Sequence, residues 1–316
     1  MNYIEKSANR PANLYSQITL AKPSDADELW IHLRSIEDGF GNGKPTDDAI
    51  DEIVNLVVRG DHAVAGIARE HGKIIASVGL SINKLWYSDD FLLADAWHYV
   101  APAHRRSPYA KSLVKFAKKY ADNLELPLVM TVQNTEALQP KIRLYERELE
   151  PYGGFFEVQP KQPYPIPEGV FLADSNSWTA LEPICRWIGQ DNAIIDVNYD
   201  RALEILKEAV KNRPDQGSFI GVVGDRNNIR GAIAMKIQQN DMTKEWQLTE
   251  HFVAVPPGKG STNVSGKLIE FAKWAGSALN LPLQIGIASR KRTQTKLNLY
   301  RRKFGEPKKL FFYYKG

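Results

Sequence analysis

Two stretches of the chain hold residues suited to gripping an anion and moving a proton. One reads Val100-Ala101-Pro102-Ala103-His104-Arg105-Arg106-Ser107-Pro108-Tyr109-Ala110, the other Val255-Pro256-Pro257-Gly258-Lys259-Gly260-Ser261-Thr262-Asn263-Val264-Ser265. In each, an apolar strand-like run enters a short loop and then a long amphipathic helix. The first turn of a helix carries unpaired N–H groups and a partial positive charge, and small loop residues let a phosphate reach them. A histidine precedes each loop, His98 in the first stretch and His251 before the second. An imidazole can accept a proton near neutral pH. Strict strand alternation puts His98, Ala96 and Ala94 on one face, and Val253, His251 and Thr249 on the matching face. Asp95 and Glu250 then point the other way. Further on, Leu144-Tyr145 and Leu299-Tyr300 each supply a phenol, a weak acid.

These stretches belong to a repeat. Val100-x-Pro102 recurs as Val255-x-Pro257, Phe116-Ala117-Lys118 as Phe271-Ala272-Lys273, Leu126-Pro127-Leu128 as Leu281-Pro282-Leu283, and Gly66 as Gly221. One offset relates all of these pairs with no gap from Gly66 to Arg147, which points to two copies of a whole domain. Each copy is expected to open with a helix after Ser24-Asp25 or Asp174-Ser175, followed by a second helix near 47–59 or 199–212. A hairpin at 63–82 or 218–237 comes next, then a strand at 93–100 or 248–255 and a long helix at 110–123 or 265–279. A strand, a helix ending at the repeated tyrosine and an aromatic strand (154–158 or 310–314) close the copy. The fold class is α+β: a mixed, mostly antiparallel sheet flanked by helices. The expected division is a tail at 1–17, domains at 18–159 and 170–316, and a stiff linker at 160–169 containing Pro160, Pro163, Pro165 and Pro167.

Composition narrows the function. The 316 residues suit two domains, and 43% hydrophobic with 25% charged is globular. No apolar run is long enough for a membrane span, and residues 1–15 lack the apolar core of a signal peptide, so a cytoplasmic protein is expected. The lone Cys185 excludes internal disulfides and reads as a packed core thiol, and no HExxH pair suggests a metal. A net charge of +4 permits an anionic ligand without requiring nucleic acid. Basic residues gather at Arg290-Lys291-Arg292, Lys296, Arg301-Arg302-Lys303 and Lys308-Lys309. They read as a solvated helix face or as a patch for a phosphate or acidic partner, without the interleaved aromatics of a nucleic-acid platform.

The pattern Val-x-Pro-x-x-Arg-x-x-x-x-Ala before a long helix resembles the acyl-CoA-binding loop of the GCN5-related N-acetyltransferase (GNAT) family. Leu144-Tyr145-Glu146 and Leu299-Tyr300-Arg301 are similar to that family's Leu-Tyr-Glu segment. The resemblance implies tandem acyl-CoA N-acyltransferase domains and transfer of acetyl from acetyl-CoA, as co-substrate, to a primary amine by direct attack. The acceptor would be a small molecule, a protein or a tRNA amine, and the protein a monomer or weak dimer. It implies coenzyme contacts at Val100, Arg105, Arg106, Ser107, Ala110 and Asn134. In the second copy they fall at Val255, Gly260, Ser261, Thr262, Asn263, Val264 and Ser265. The base would be His251 or His98, and the acid that protonates the thiolate Tyr300 or Tyr145. The sheet should splay beside the loop so that the pantetheine arm bonds the strand edge.

The sequence also departs from the family pattern. Pro108 replaces the first loop glycine and has no N–H. In the second copy Gly260 stands at the arginine position, while Asn263 and Ser265 replace the glycines and keep every N–H. On that ground the second copy is expected to catalyse, with His251 and Tyr300. The rival expectation is a degenerate tandem fold that acts as a structural or inhibitory binding module, with apolar surface exposed at 310–314.

Overall fold

The computed structural model describes residues 18–36, 45–60, 62–133, 138–159, 165–188, 194–211, 217–240, 243–256, 258 and 262–315. The first half runs β1 (Thr19–Leu20), α1 (Ala26–Arg34), α2 (Asp47–Arg59), β2 (Ala63–Glu70), β3 (Lys73–Lys84), β4 (Phe91–Val100), α3 (Tyr109–Leu124), β5 (Leu128–Gln133), α4 (Leu138–Glu146) and β6 (Glu150–Val158). The second half repeats this order as β7 (Val170–Leu172), α5 (Trp178–Cys185), α6 (Tyr199–Ala209), β8 (Ser218–Asp225), β9 (Asn228–Gln239), β10 (Trp246–Ala254), α7 (Thr262–Leu279), β11 (Leu283–Ala288), α8 (Thr293–Phe304) and β12 (Lys309–Tyr314).

Local chemistry explains several boundaries. Thr46 caps α2 by accepting the Ala49 N–H, and the helix stops at Gly60 in the left-handed region, φ 73°. Asn198 caps α6 in the same way through the Arg201 N–H. Asp174, read as the start of a helix, caps a 3₁₀ turn that leads into α5. Residues 160–164 of the linker lie outside the described residues.

The strands form one twelve-stranded sheet in the order β1-β2-β3-β4-β5-β12-β6-β11-β10-β9-β8-β7. Among the described residues, only β4–β5 and β10–β11 pair in parallel. The two halves have exchanged their last strands. β12 lies between β5 and β6, and β6 lies between β12 and β11. The segment at 310–314 is therefore not an exposed apolar strip. It is a central strand, with Leu310, Phe312 and Tyr313 buried.

One face of the sheet carries α3, α4, α7 and α8 over a continuous core containing Phe116, Tyr145, Phe271 and Tyr300. On the other face, α1 and α2 cover the first half's strands, and α5 and α6 cover the second's. The repeated glycines make room for the repeated phenylalanines: a Cβ on Gly66 would lie 2.7 Å from the Phe116 ring, and one on Gly221 2.2 Å from Phe271. Each buried phenyl contributes roughly 2–3 kcal/mol. Cys185 sits in the core under α5 and α6, and burial pushes its thiol up to about 12. Among the described residues, no helix is long and apolar enough to cross a membrane.

Candidate active site

The site begins where parallel pairing stops. β4 and β5 are paired at Leu93–Leu128 and Ala94–Val129 and then part. The Asp95 carboxylate fills the opening, accepting the Thr131 N–H at 2.9 Å and the Thr131 hydroxyl at 3.3 Å. The second half repeats this arrangement. β10 and β11 pair at Leu248–Leu283 and Thr249–Gln284, and Glu250 then accepts the Gly286 N–H at 3.2 Å. The expected splay is thus present twice, each time held by an acid.

A bulge sits beside each opening and overturns the alternation expected from the sequence. Gly79 pairs with Trp97 and Leu80 with Asp95, which leaves Ala96 as the extra residue. In the second half, Met235 pairs with Glu250 and Ala234 with Phe252, so His251 is the extra residue. An extra residue reverses the facing of everything on one side of it. His98 therefore does not share a face with Ala96 and Ala94. It points to the side of α3 and α4, while Trp97 enters the core under α1 and α2 and donates to Ser77 Oγ at 2.9 Å.

This turn brings His98 and Tyr145 together. The Tyr145 hydroxyl hydrogen-bonds His98 Nδ1, and the phenol packs on Phe312 of β12 at 5.3 Å. Burial, then Lys141, push His98 down to about 4, and the Ala110 carbonyl in the first turn of α3 works against them. The imidazole is neutral at pH 7. Its Nε2 closes no hydrogen bond among the described residues, and in the Nε2-protonated tautomer Nδ1 accepts from the Tyr145 hydroxyl. Burial and the nearby Asp95 hold the Tyr145 phenol well above its usual range, so it stays protonated. Burial also pushes Asp95 up to about 7, with the Thr131 bonds and Lys309 pulling it back.

The second half does not bring its pair together. Tyr300 lies between Phe156 and Phe304, each 5.7 Å away, and burial and Glu250 raise its phenol. The counterpart of His98 is Val253, an apolar residue packed on the same core as Tyr300. His251 lies on the opposite face. There it stacks on Trp86, from the β3–β4 turn of the first half, with ring centroids 5.4 Å apart and planes at 27°. Burial, then Lys236, push it down to about 4. Sequence reasoning set Glu250 and Asp95 aside, yet both stand at the openings. The signal was an acid repeated at the same offset within two apolar strands.

The first loop leaves part of its anion grip free. Val100 ends β4, and Pro102–His104 forms a 3₁₀ turn. The N–H groups of His104, Arg105 and Ser107 donate to loop carbonyls, and that of Tyr109 to Ser107 Oγ. Pro108 caps α3 and has no N–H to give. Among the described residues the Arg106, Ala110 and Lys111 N–H groups find no acceptor. The Arg105 and Arg106 side chains are exposed and Ala110 is half-buried. In the second half Gly260 and Ser261 lie outside the described residues. Thr262 starts α7, Asn263 is exposed, Val264 is buried in the core, and Val255 and Ser265 are half-buried. Asn134 also lies outside the described residues. Its counterpart Ser289 is fully buried, accepting from Lys296 Nζ at 2.7 Å and donating to the Lys291 carbonyl at 2.8 Å.

The family model for the acetyltransferase (GNAT) family matches residues 30–150, the stretch that holds this opening, loop and tyrosine. Over that stretch the chain is similar to a GNAT domain. Two solved structures share its architecture. A GCN5-related N-acetyltransferase from Sphaerobacter thermophilus is 16% identical over 96% of this chain and 97% of its own, with a TM-score of 0.54. The GCN5-related glucosamine N-acetyltransferase region of a fungal multi-domain GH3 beta-N-acetylglucosaminidase is 12% identical over 97% of this chain and 38% of its own, with a TM-score of 0.51. At these identities the likeness is one of fold, and it spans both halves. No curated protein matches the sequence. The GNAT domain and fold support acyl transfer from an acyl-CoA.

Proposed function

We propose that the chain is an N-acetyltransferase that moves acetyl from acetyl-CoA to a primary amine by direct attack, with the chemistry in the first half. The observation that carries this reading is the Tyr145–His98 hydrogen bond beside an opening whose apex is Asp95. The loop at α3 suits the coenzyme: the free N–H groups of Arg106, Ala110 and Lys111 and the exposed Arg105 and Arg106 side chains would take its diphosphate. Acetyl-CoA supplies an activated thioester. Attack requires a neutral amine, and Asp95, poised near 7, accepts the ammonium proton. The C–S bond breaks as the C–N bond forms, Tyr145 gives its proton to the departing thiolate, and the proton that the acylated nitrogen sheds restores the phenol. His98 orients the phenol as its hydrogen-bond acceptor.

The second half fits the rival reading of a non-transferring partner, because Val253 leaves Tyr300 without an imidazole and Trp86 covers His251. In this reading the domains at 18–159 and 170–316 are one working unit joined by their exchanged strands. Calorimetry with acetyl-CoA on the full chain and on Arg105→Glu/Arg106→Glu tests it. Binding by the wild type and its loss in the variant are expected. No heat from the wild type would overturn the enzyme reading, and undiminished binding by the variant would move the coenzyme site to the second half.

A further inference from the structure

The strand exchange lays two phenylalanines side by side in the middle of the sheet. β12 sets Phe311 opposite Thr131 of β5, and β6 sets Phe155 opposite Gly286 of β11. Their neighbours Leu310, Phe312 and Phe156 turn into the continuous core, so Phe311 and Phe155 face the other side of the sheet. The two rings lie 6.1 Å apart with planes at 38°, and both are half-buried. On that side α1 and α2 pack on β2 and β3, and α5 and α6 on β8 and β9, which leaves the middle strands as a trench between the helix pairs. Tyr152 and Tyr313, with Ile194 and Ile195 of the second half, close one end of it.

The trench has a polar link to one of the two acids. Thr131 shares the face of Phe311, and its hydroxyl donates to Asp95 Oδ2 at 3.3 Å while its N–H donates to Oδ1 at 2.9 Å. The equivalent of Thr131 is Gly286, which has no hydroxyl to give, and Glu250 is left with the backbone bond. Two further observations point to a cationic occupant. The Lys309 ammonium stands 5.4 Å from the Phe155 ring centroid, so the aromatic pair already draws a cation. Gln133, two residues beyond Thr131 on the same face, has a buried Oε1 that closes no hydrogen bond among the described residues. An amide oxygen buried without a donor is costly, and the N–H of an amine supplies one.

We propose that the Phe311–Phe155 pair is the floor of the acceptor site and that the acceptor is a primary amine on an apolar, uncharged frame. The frame lies over the rings against Ile194 and Ile195, and the amine reaches Asp95 beside Thr131. This rests on the functional reading above and names its substrate class. Aromatic rings receive apolar carbon and attract an ammonium. A peptide backbone on the same floor would set N–H and C=O groups against carbon and lose their hydration without a partner. β6 supplies one ring and β12 the other, so the choice of acceptor belongs to the joined halves.

The test uses the full chain with acetyl-CoA, n-hexylamine and methylamine, and reads thiol release. A buried methylene is worth about fourfold, so the five extra methylenes, about half-buried, predict a kcat/KM roughly 30-fold higher for hexylamine. That ratio should fall about tenfold in Phe311→Ala, through KM rather than kcat, and largely return in Phe311→Leu, which keeps an apolar side chain. Phe155→Ala, on the other exchanged strand, should lower it in the same direction. A wild-type ratio near one, a ratio that both alanine variants leave unchanged, or faster turnover of a glycine–lysine–glycine tripeptide than of hexylamine overturns the proposal. If the wild type binds no acetyl-CoA and acetylates neither amine, the functional reading fails instead. Proton NMR on ring-labelled phenylalanine then decides the site: hexylamine should shift the signals of Phe155 and Phe311, assigned through their Leu variants, and unmoved signals overturn it.

Discussion

A tyrosine and a histidine that share a hydrogen bond in a buried site act as one unit, and substitutions should separate their roles. Tyr145→Phe keeps the ring against Phe312 and removes the transferable proton. Thiol release from acetyl-CoA should drop roughly 100-fold, at the low end for a lost general acid, while calorimetric binding of acetyl-CoA stays within about twofold. Tyr300→Phe should leave the rate within about twofold, and a large loss there would move the chemistry to the second half. His98→Ala leaves a buried hydroxyl without its acceptor, and urea denaturation should show a loss of about 1–3 kcal/mol. A loss of similar size is expected for Gly66→Ala, where the new Cβ would press on Phe116. Both tyrosines and the glycine–phenylalanine pairs were legible as repeated types, and both histidines as single candidates before the loops. The direction of each histidine was not. A single inserted residue, Ala96 or His251, reverses the facing of the residues beyond it, and alternation read from sequence has no means of locating a bulge.

At the scale of elements, the repeated order of helices and strands was readable and the exchange of the last strands was not. Most helices and strands formed where periodicity and caps placed them, since those signals are local: α2 spans 47–59 as expected, and α3 differs by one residue at each end. Strand partners are not local. β6 and β12 end equivalent copies, and either could in principle lie beside either parallel strand, so the repeat cannot tell a closed copy from an exchanged one. The observed pairing of β12 with β5 predicts that residues 1–159 and 165–316 will not form separate soluble monomers. Co-expressed, they should copurify as a 1:1 complex, checked by size exclusion and mass spectrometry. The β3–β4 turn adds a second tie. The Asn198 N–H donates to the Tyr87 carbonyl at 2.8 Å, Arg201 Nε to the Trp86 carbonyl at 3.2 Å, and Arg201 also pairs with Asp89 at 3.1 Å. With Trp86 stacked over it, His251 should show no titration between pH 5 and 8 by proton NMR. In Trp86→Ala it should titrate near its ordinary 6.5, because burial is the main cause of its depression.

For the whole molecule, the buried acids and imidazoles set opposing pH dependences of stability. His32, His98 and His251 are each pushed down to about 4, chiefly by burial. A depressed histidine contributes stability that is complete above its unfolded value of about 6.5 and is lost as pH falls toward 4. Between pH 7 and 5 each loses roughly 2 kcal/mol, about 5–6 for the three. Asp95 and Glu250 are raised by burial to about 7 and about 8. A raised carboxyl contributes stability that is complete below its unfolded value of about 4 and is lost as pH rises through the folded one. Over the same interval from pH 7 to 5 these two gain about 5 kcal/mol together, so the groups nearly cancel and thermal stability should be almost flat there. From pH 7 to 9 the acids lose about 2 kcal/mol, most of it through Glu250, and the raised Cys185 thiol adds a few tenths. Glu250→Gln removes the larger acid contribution on both sides. Its melting temperature should hold nearly level up to pH 9. Toward pH 5 it should fall steeply, because about 3 kcal/mol of the histidine loss is then unopposed. A scan of melting temperature against pH for the two proteins checks both limbs. An alkaline fall that persists in the variant would mean that Glu250 is already ionised in the fold at neutral pH.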